Sequence, residues 1–271
     1  MITIKNYIRA GSLQEAYDLN QSRQNRVIGG MLWVKMANIN VNTAIDLSDL
    51  GLDTITETDS EFSIGAMVSL RQIELHEGLN KYTNYAIKKS VGDIVGVQFR
   101  NMATVGGSIF GRFGFSDVLT MFLTLDCDVE LFKGGIISLE EFSKMERDND
   151  ILVRLIVKKT PGNFVYDSMR ITKTDFPVIA CGVSCVNNEY RFSVGARPAK
   201  AILLRDEEGI LSNGISEDSI SAISKWVAEH TPTQSNLRGS AQYRTHLIEV
   251  LIKRNLLKLR GEISGNSNNF E

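Results

Sequence analysis

Arg100-Asn101-Met102-Ala103-Thr104-Val105-Gly106-Gly107-Ser108-Ile109 is the stretch on which the reading of this 271-residue chain turns. A glycine pair stands there behind an apolar Val105. Lacking Cβ, glycine admits positive φ and lets another backbone or a ligand come close. Successive N–H groups in such a turn can converge on an anion. Upstream, Val27-Ile28-Gly29-Gly30-Met31-Leu32 sets a second glycine pair behind a short apolar run. Two such loops in one domain would grip the two phosphates of a dinucleotide from both sides. The plainer reading is two tight turns between strands. The surrounding sequence has to decide.

Composition narrows the field. Hydrophobic residues make up 43% of the chain and charged residues 23%, the proportions of an ordinary globular protein. A net charge of −2 speaks against a nucleic-acid or anionic-membrane binder, which carries a basic face. Met1-Ile2-Thr3-Ile4-Lys5-Asn6 has no long apolar core, so no signal peptide is expected, and no stretch approaches a membrane span. Cys127, Cys181 and Cys185 form no disulfide framework and fit a reducing cytoplasm. They cannot supply the four thiolates of an ordinary iron–sulfur cluster. His76, His230 and His246 show no metal spacing. No nucleophile elbow, P-loop or G-x-G-x-x-G is present, so a dinucleotide here would not lie on a Rossmann fingerprint.

Ser12-Leu13-Gln14-Glu15 reads as a capping box for a helix running to about Asn20. Short strands are predicted at Arg26 to Ile28, Ala44 to Leu47 and Phe62 to Ala66. Helices follow at Ser69 to His76 and Asn80 to Ser90. Ser116-Asp117 reads as an N-cap before an apolar helix, Val118 to Leu125. Asp128 to Phe132 and Asp150 to Lys158 are strands, and Pro161-Gly162 breaks the second and marks a domain boundary. Beyond it come three strands, Phe164 to Met169, Val178 to Val186 and Tyr190 to Gly195, the last two joined by Asn187-Asn188-Glu189. Helices at about Ser219 to Glu229 and Ser240 to Arg260 complete the pattern. The latter is amphipathic, with Lys253, Arg254, Lys258 and Arg260 toward its C-terminus, as the dipole prefers. Gly261 to Glu271 is polar and expected to fray.

Several of these stretches, in this order, resemble the FAD-binding subunit of molybdenum hydroxylases, the family of the xanthine dehydrogenase flavin subunit and the carbon monoxide dehydrogenase medium subunit. Arg100 to Ile109 is similar to its R-N-x-x-T-x-G-G-N-I, the most specific motif. Val27-Ile28-Gly29-Gly30 looks like its first FAD loop and Ile64-Gly65-Ala66-Met67 like its I-G-A element. Tyr7 with Ser12 to Ala16 looks like its opening. Gly195-Ala196-Arg197-Pro198-Ala199 and Leu237-Arg238-Gly239-Ser240-Ala241-Gln242-Tyr243-Arg244 look like signatures of its C-terminal domain.

The resemblance implies an α+β fold. A two-subdomain FAD-binding domain of the vanillyl-alcohol-oxidase/PCMH type spans 1–160, with subdomains of about 1–50 and 51–160. A small C-terminal domain with a three-stranded antiparallel sheet and helices spans 161–262, and a flexible tail 263–271. FAD would lie between the two domains. Backbone groups of Val27, Ile28, Gly29, Gly30, Met31, Leu32 and Trp33 would meet its pyrophosphate and ribityl chain. Thr104, Val105, Gly106, Gly107 and Ser108 would clasp it from the other side. Asp117 would accept from a sugar hydroxyl; the alternative is a plain helix cap. Ile94 and Leu152 would touch adenine or flavin, or are ordinary core. Arg170 is the nearest candidate for the family's basic residue near the flavin, with a structural salt bridge as its alternative. No residue is assigned a catalytic or metal-binding role.

Departures stand beside the matches. Met31 replaces a frequent Ser or Thr, Ser108 replaces Asn, and Phe110-Gly111-Arg112-Phe113-Gly114-Phe115 replaces a small-residue stretch. Arg112 there offers a phosphate or partner contact. The four-cysteine insertion of some relatives is excluded by three scattered cysteines. The implied function is electron transfer through FAD in a cytoplasmic heteromer. A molybdenum-cofactor large subunit would hydroxylate an N-heterocycle such as a purine. A small subunit with [2Fe–2S] clusters would feed the flavin, and NAD would accept. The rivals are a freestanding flavin oxidoreductase and a flavin-free assembly subunit. A valine at Gly106 or Gly107 is expected to leave a folded, flavin-free protein, because it fills the cradle and resists positive φ.

Overall fold

The computed structural model describes residues 1–267, and of 262–267 the backbone alone. The chain forms two compact units that interleave in sequence. Unit 1 comprises 1–73, 95–111 and 127–158, and unit 2 comprises 74–94, 112–126 and 159–271.

Unit 1 holds two sheets. The first is parallel, with β1 (Thr3–Arg9), β2 (Arg26–Ile28) and β3 (Asn40–Asp46) in the order β1-β3-β2. Helix α1 (Leu13–Asn20) packs on it, and Ala10, Ala16, Ile45, Leu47 and Ile151 form the local core. The predicted cap is present. Ser12 Oγ accepts from Glu15 N at 3.1 Å, while the Glu15 carboxylate reaches back to Gly11 N at 2.8 Å, one residue further than expected. The second sheet is antiparallel and has five strands: β4 (Ile55–Glu57), β5 (Glu61–Gly65), β6 (Cys127–Leu131), β7 (Gly135–Ser138) and β8 (Leu152–Lys158), ordered β4-β5-β8-β6-β7. Helices α5 (Val97–Met102), α6 (Val105–Phe110) and α8 (Leu139–Lys144) belong to this unit, and α2 (Leu70–Leu75) begins in it.

Unit 2 is built on one antiparallel sheet, β12-β11-β10-β9, from β9 (Gly162–Arg170), β10 (Pro177–Val186), β11 (Glu189–Gly195) and β12 (Ile202–Arg205). The sequence pointed to three strands. β12 is the fourth: four residues, all half-buried, with none of the alternation that marks a strand with one wet face. The turn expected over Asn187-Asn188-Glu189 is tighter, with Glu189 already in β11: Asn187 and Asn188 both take positive φ, 54° and 64°, as a two-residue hairpin turn requires. Helices α9 (Glu217–Glu229) and α10 (Ala241–Ser267) pack together, α10 lies against β9 and β10, and Ile179, Cys181, Phe192, Ile223, Ile248 and Leu256 lie in their shared core. α10 runs past Arg260 through Gly261 to Ser267, longer than its amphipathic pattern suggested. The last four residues of the expected tail, 268–271, lie outside the described residues.

Three earlier helices complete unit 2: α3 (Glu77–Tyr82), α4 (Ala86–Gly92) and α7 (Asp117–Phe122). The single helix read over Asn80 to Ser90 is two helices. Asn84 and Tyr85 between them stand at φ 49° and 62°, which breaks the helical ladder. All six residues of α7 are buried, and it packs on β10 and β11. Among the described residues no helix is long and apolar enough to cross a membrane.

Candidate functional site

In unit 1, β2 delivers Ile28, which is buried, into a loop of Gly29, Gly30, Met31, Leu32 and Trp33. Met31 takes φ 57°, so the expected left-handed residue is the methionine; none of Gly29, Gly30, Gly106 and Gly107 has positive φ. Among the described residues nothing accepts from the N–H groups of Gly29, Gly30, Met31 and Leu32. Four adjacent backbone donors with a left-handed residue among them are the construction of an anion nest. Trp33 closes the loop, its ring 5.8 Å edge-on from Phe99 of α5.

The second glycine pair is brought beside the first. A Cβ on Gly29 would stand 2.6 Å from Thr104 Oγ1, and one on Gly30 would fall inside the Met102 carbonyl oxygen. The second pair is not a hairpin turn, however. It is the first turn of α6, with Thr104 as N-cap accepting from Gly107 N at 3.1 Å. Val105 N and Gly106 N donate to the carbonyls of Val68 and Ala66, each at 2.8 Å, and Ser108 N donates to Thr104 O at 3.1 Å. A Cβ on Gly106 would lie 2.5 Å from the Ala66 carbonyl oxygen. Close approach of this chain's own backbone, rather than positive φ, is why that position is glycine. Leu152, on β8 of the same unit, is 5% exposed.

Asp117 and Arg170 are in unit 2. Ser116, not Asp117, caps α7, accepting from Leu119 N at 3.1 Å. Asp117 is the first residue of the helix and is 4% exposed. Its Oδ1 accepts from Arg170 Nη2 at 2.6 Å and from the Tyr166 hydroxyl. Arg170 Nη1 donates to the Asp175 carbonyl, and its Nε is buried without a hydrogen-bond partner. The salt bridge kept open as an alternative for Arg170 is therefore present, with both side chains buried. Burial pushes the Asp117 carboxyl above its ordinary value; the Arg170 charge and the hydrogen bonds from Arg170 and Tyr166 pull it back. Burial, then the Asp117 charge, holds the Tyr166 phenol well above its usual value, so it stays a donor. Ile94, at the end of the segment that follows α4, is half-buried.

Sequence reasoning places Tyr166 in the strand Phe164 to Met169 and gives it no role in the site. The available signal was spacing: Tyr166 and Arg170 are four apart on a strand and so share a face. The departing stretch after Ile109 also finds a use. Phe113 and Phe115 stack at 5.2 Å, Phe115 meets Phe176 at 4.6 Å, and the Arg238 guanidinium lies 4.8 Å over Phe176. Arg112 is buried at φ 43°. Among the described residues no group of three or more His, Cys, Asp or Glu is placed to hold a metal.

An open amide nest backed by a glycine-packed helix start is suited to a nucleotide diphosphate, and comparison with known proteins identifies which nucleotide. Residues 2–159 match the family described as the FAD binding domain in molybdopterin dehydrogenase, and the chain belongs to it. Residues 164–259 match the CO dehydrogenase flavoprotein C-terminal domain. The protein is thus an FAD-binding medium subunit of the molybdenum hydroxylase class of oxidoreductases.

Among its relatives is the uncharacterized protein YgfM of Escherichia coli K12, 24% identical over 254 residues, covering 92% of this chain and 94% of that one. The xanthine dehydrogenase FAD-binding subunit of Escherichia coli O157:H7 is 25% identical over 281 residues, covering 94% and 95%. The crystal structure of the cyanide-inactivated Cu,Mo-CO dehydrogenase superposes with a TM-score of 0.83 at 20% identity, covering 96% of this chain and 99% of that one. At that identity the likeness speaks for the fold.

Proposed function

We propose that this chain carries FAD as the electron-transfer subunit of a cytoplasmic, multi-subunit molybdenum hydroxylase. The observation that carries the reading is the loop of open N–H groups at Gly29, Gly30, Met31 and Leu32, held in place by contact with Met102 and Thr104. Those donors fit a diphosphate. Hydrogen bonds to a charged acceptor are worth about 1.5–3 kcal/mol each, and a preorganised backbone loses little entropy in making them. In this reading Val27 to Trp33 hold the pyrophosphate and ribityl chain. Thr104 to Ser108, whose amides from Val105 on are already engaged, act by shape, their glycines keeping the surface low. Asp117 accepts from a sugar hydroxyl, Ile94 and Leu152 line the adenine or flavin, and the Arg170 charge opposes the upward push that burial gives the Asp117 carboxyl.

Bound FAD supplies the conversion between one-electron and hydride transfer. This chain's residues bind it and orient it, and none is required to move a proton. Family membership and the xanthine and CO dehydrogenase relatives support partners: a molybdenum-cofactor large subunit and a small subunit with [2Fe–2S] clusters that delivers electrons singly. NAD is the proposed acceptor. The test is purification of the chain with and without its neighbours. A flavin absorption spectrum, co-purification with a molybdenum protein and an iron–sulfur protein, and reoxidation of the reduced complex by NAD⁺ are expected. A colourless chain that takes up no added FAD overturns the reading. A flavin-bearing chain that turns over a substrate without partners favours the freestanding oxidoreductase.

A further inference from the structure

Two donors reach Asp117 from one strand, and both go to the same oxygen. The Tyr166 hydroxyl and Arg170 Nη2, four residues apart on β9, converge on Oδ1. Among the described residues no side chain donates to Oδ2, and the further hydrogen bond to this carboxylate comes from the backbone N–H of Asp117 itself. Tyr166 is 1% exposed and Asp117 4%, so water does not readily replace either donor. A carboxylate turns about its last torsion with little preference, and two donors on one oxygen remove that freedom. Arg170 is itself fixed, through Nη1, to the carbonyl of Asp175.

We propose that Tyr166 is a positioning residue for FAD: with Arg170 it occupies Oδ1 of Asp117 and so aims Oδ2 at the ligand hydroxyl. The inference rests on the proposed role of Asp117 as the acceptor of a sugar hydroxyl. Its content is that a buried tyrosine acts on FAD through the carboxylate and not through packing. Tyr166→Phe removes one hydroxyl from a buried strand and keeps the ring.

A double-mutant cycle on FAD binding to the apo-chain, followed by flavin fluorescence quenching, separates the two roles. Tyr166→Phe in the parent is expected to weaken FAD binding about tenfold, within the range of coupled hydrogen-bonded pairs. In the Asp117→Asn background the same change is expected to weaken it less than about twofold, because no correctly oriented carboxylate remains to be lost. Equal losses in both backgrounds overturn the proposal and make Tyr166 a packing residue. An Asp117→Asn chain that binds FAD like the parent removes the role of Asp117, and the proposal with it. A parent chain that binds no FAD instead refutes the flavin reading itself. Should Tyr166→Phe fail to fold, 3-fluorotyrosine at position 166, a stronger donor of nearly the same size, is expected to tighten FAD binding about twofold. Unchanged or weaker binding there overturns the proposal.

Discussion

In the loop from Gly29 to Leu32 successive backbone donors find no acceptor among the described residues. From Val105 to Ser108 the chain bonds every one of them to itself. Both segments read alike in sequence, an apolar run and then Gly-Gly. The first is a turn, exposed at Gly29 and half-buried from Gly30 to Leu32, with a methionine in the left-handed region; the second is a capped helix start whose Gly106 is buried. Glycine serves one purpose at Gly30 and Gly106, which is to let another stretch of this backbone touch it. Among the described residues the open donors lie in only one of the two segments. Two stretches that read as equal cradles are thus one run of open donors and one capped helix start packed against it.

The largest test of that contrast is Gly30→Ala. Its new carbon falls on a backbone carbonyl that cannot step aside, so a loss of about 3 kcal/mol or more is expected in chemical denaturation, with FAD binding lost as well. A variant as stable as the parent breaks the comparison. Gly106→Val follows. Sequence alone predicts a folded, flavin-free protein, whereas the contact with the Ala66 carbonyl predicts about 2–3 kcal/mol of destabilisation even in the absence of FAD. Thr104→Ala removes the cap of α6 and is expected to lower stability by about 1 kcal/mol while changing FAD affinity less than about threefold. A stronger effect on FAD than on folding would mean that the second segment binds after all.

The smallest effect concerns pH. The amides of the first loop do not titrate, so any pH dependence of FAD affinity between pH 4 and 8 has to come from elsewhere, and Asp117 is the candidate. Its carboxyl is raised by burial. FAD affinity is expected to fall about fivefold as pH drops through that raised value, the difference between a charged and a neutral acceptor. Without ligand the sign reverses. A raised carboxyl favours the folded state in its neutral form, so that contribution is complete below the ordinary aspartate value and is lost as pH rises through the raised one. Calorimetric titration with FAD and thermal melts of the apo-chain across this range should slope in opposite directions.

Local chemistry was legible where it is carried by neighbours in sequence. The cap at Ser12 and Glu15, the turn at Asn187-Asn188 and the break after Lys158 follow from residues a few positions apart. β12 and the kink at Asn84-Tyr85 were not, because short half-buried strands and left-handed non-glycine residues leave no periodic trace. The glycine pairs suggest a nucleotide site. Which of them offers donors depends on Val105 and Gly106 reaching Val68 and Ala66, distant in sequence and close only in the fold. Tyr166 was hidden for a similar reason: on an apolar strand, only its partner on another element distinguishes it from core.

The interleaving of the two units has a practical consequence for how this polypeptide is made and how it can be divided. Helices α4 and α7 leave the ribosome well before β9, β10 and β11 exist, yet those strands are what they pack against. Until synthesis passes Gly195, the faces of α4 and α7 that pack on these strands are uncovered, and although the two helices can pack on each other, those faces are a target for chaperones or aggregation. A gene split after Lys158 would separate α7 from its sheet, so neither fragment should be soluble by itself and co-expression should rescue both.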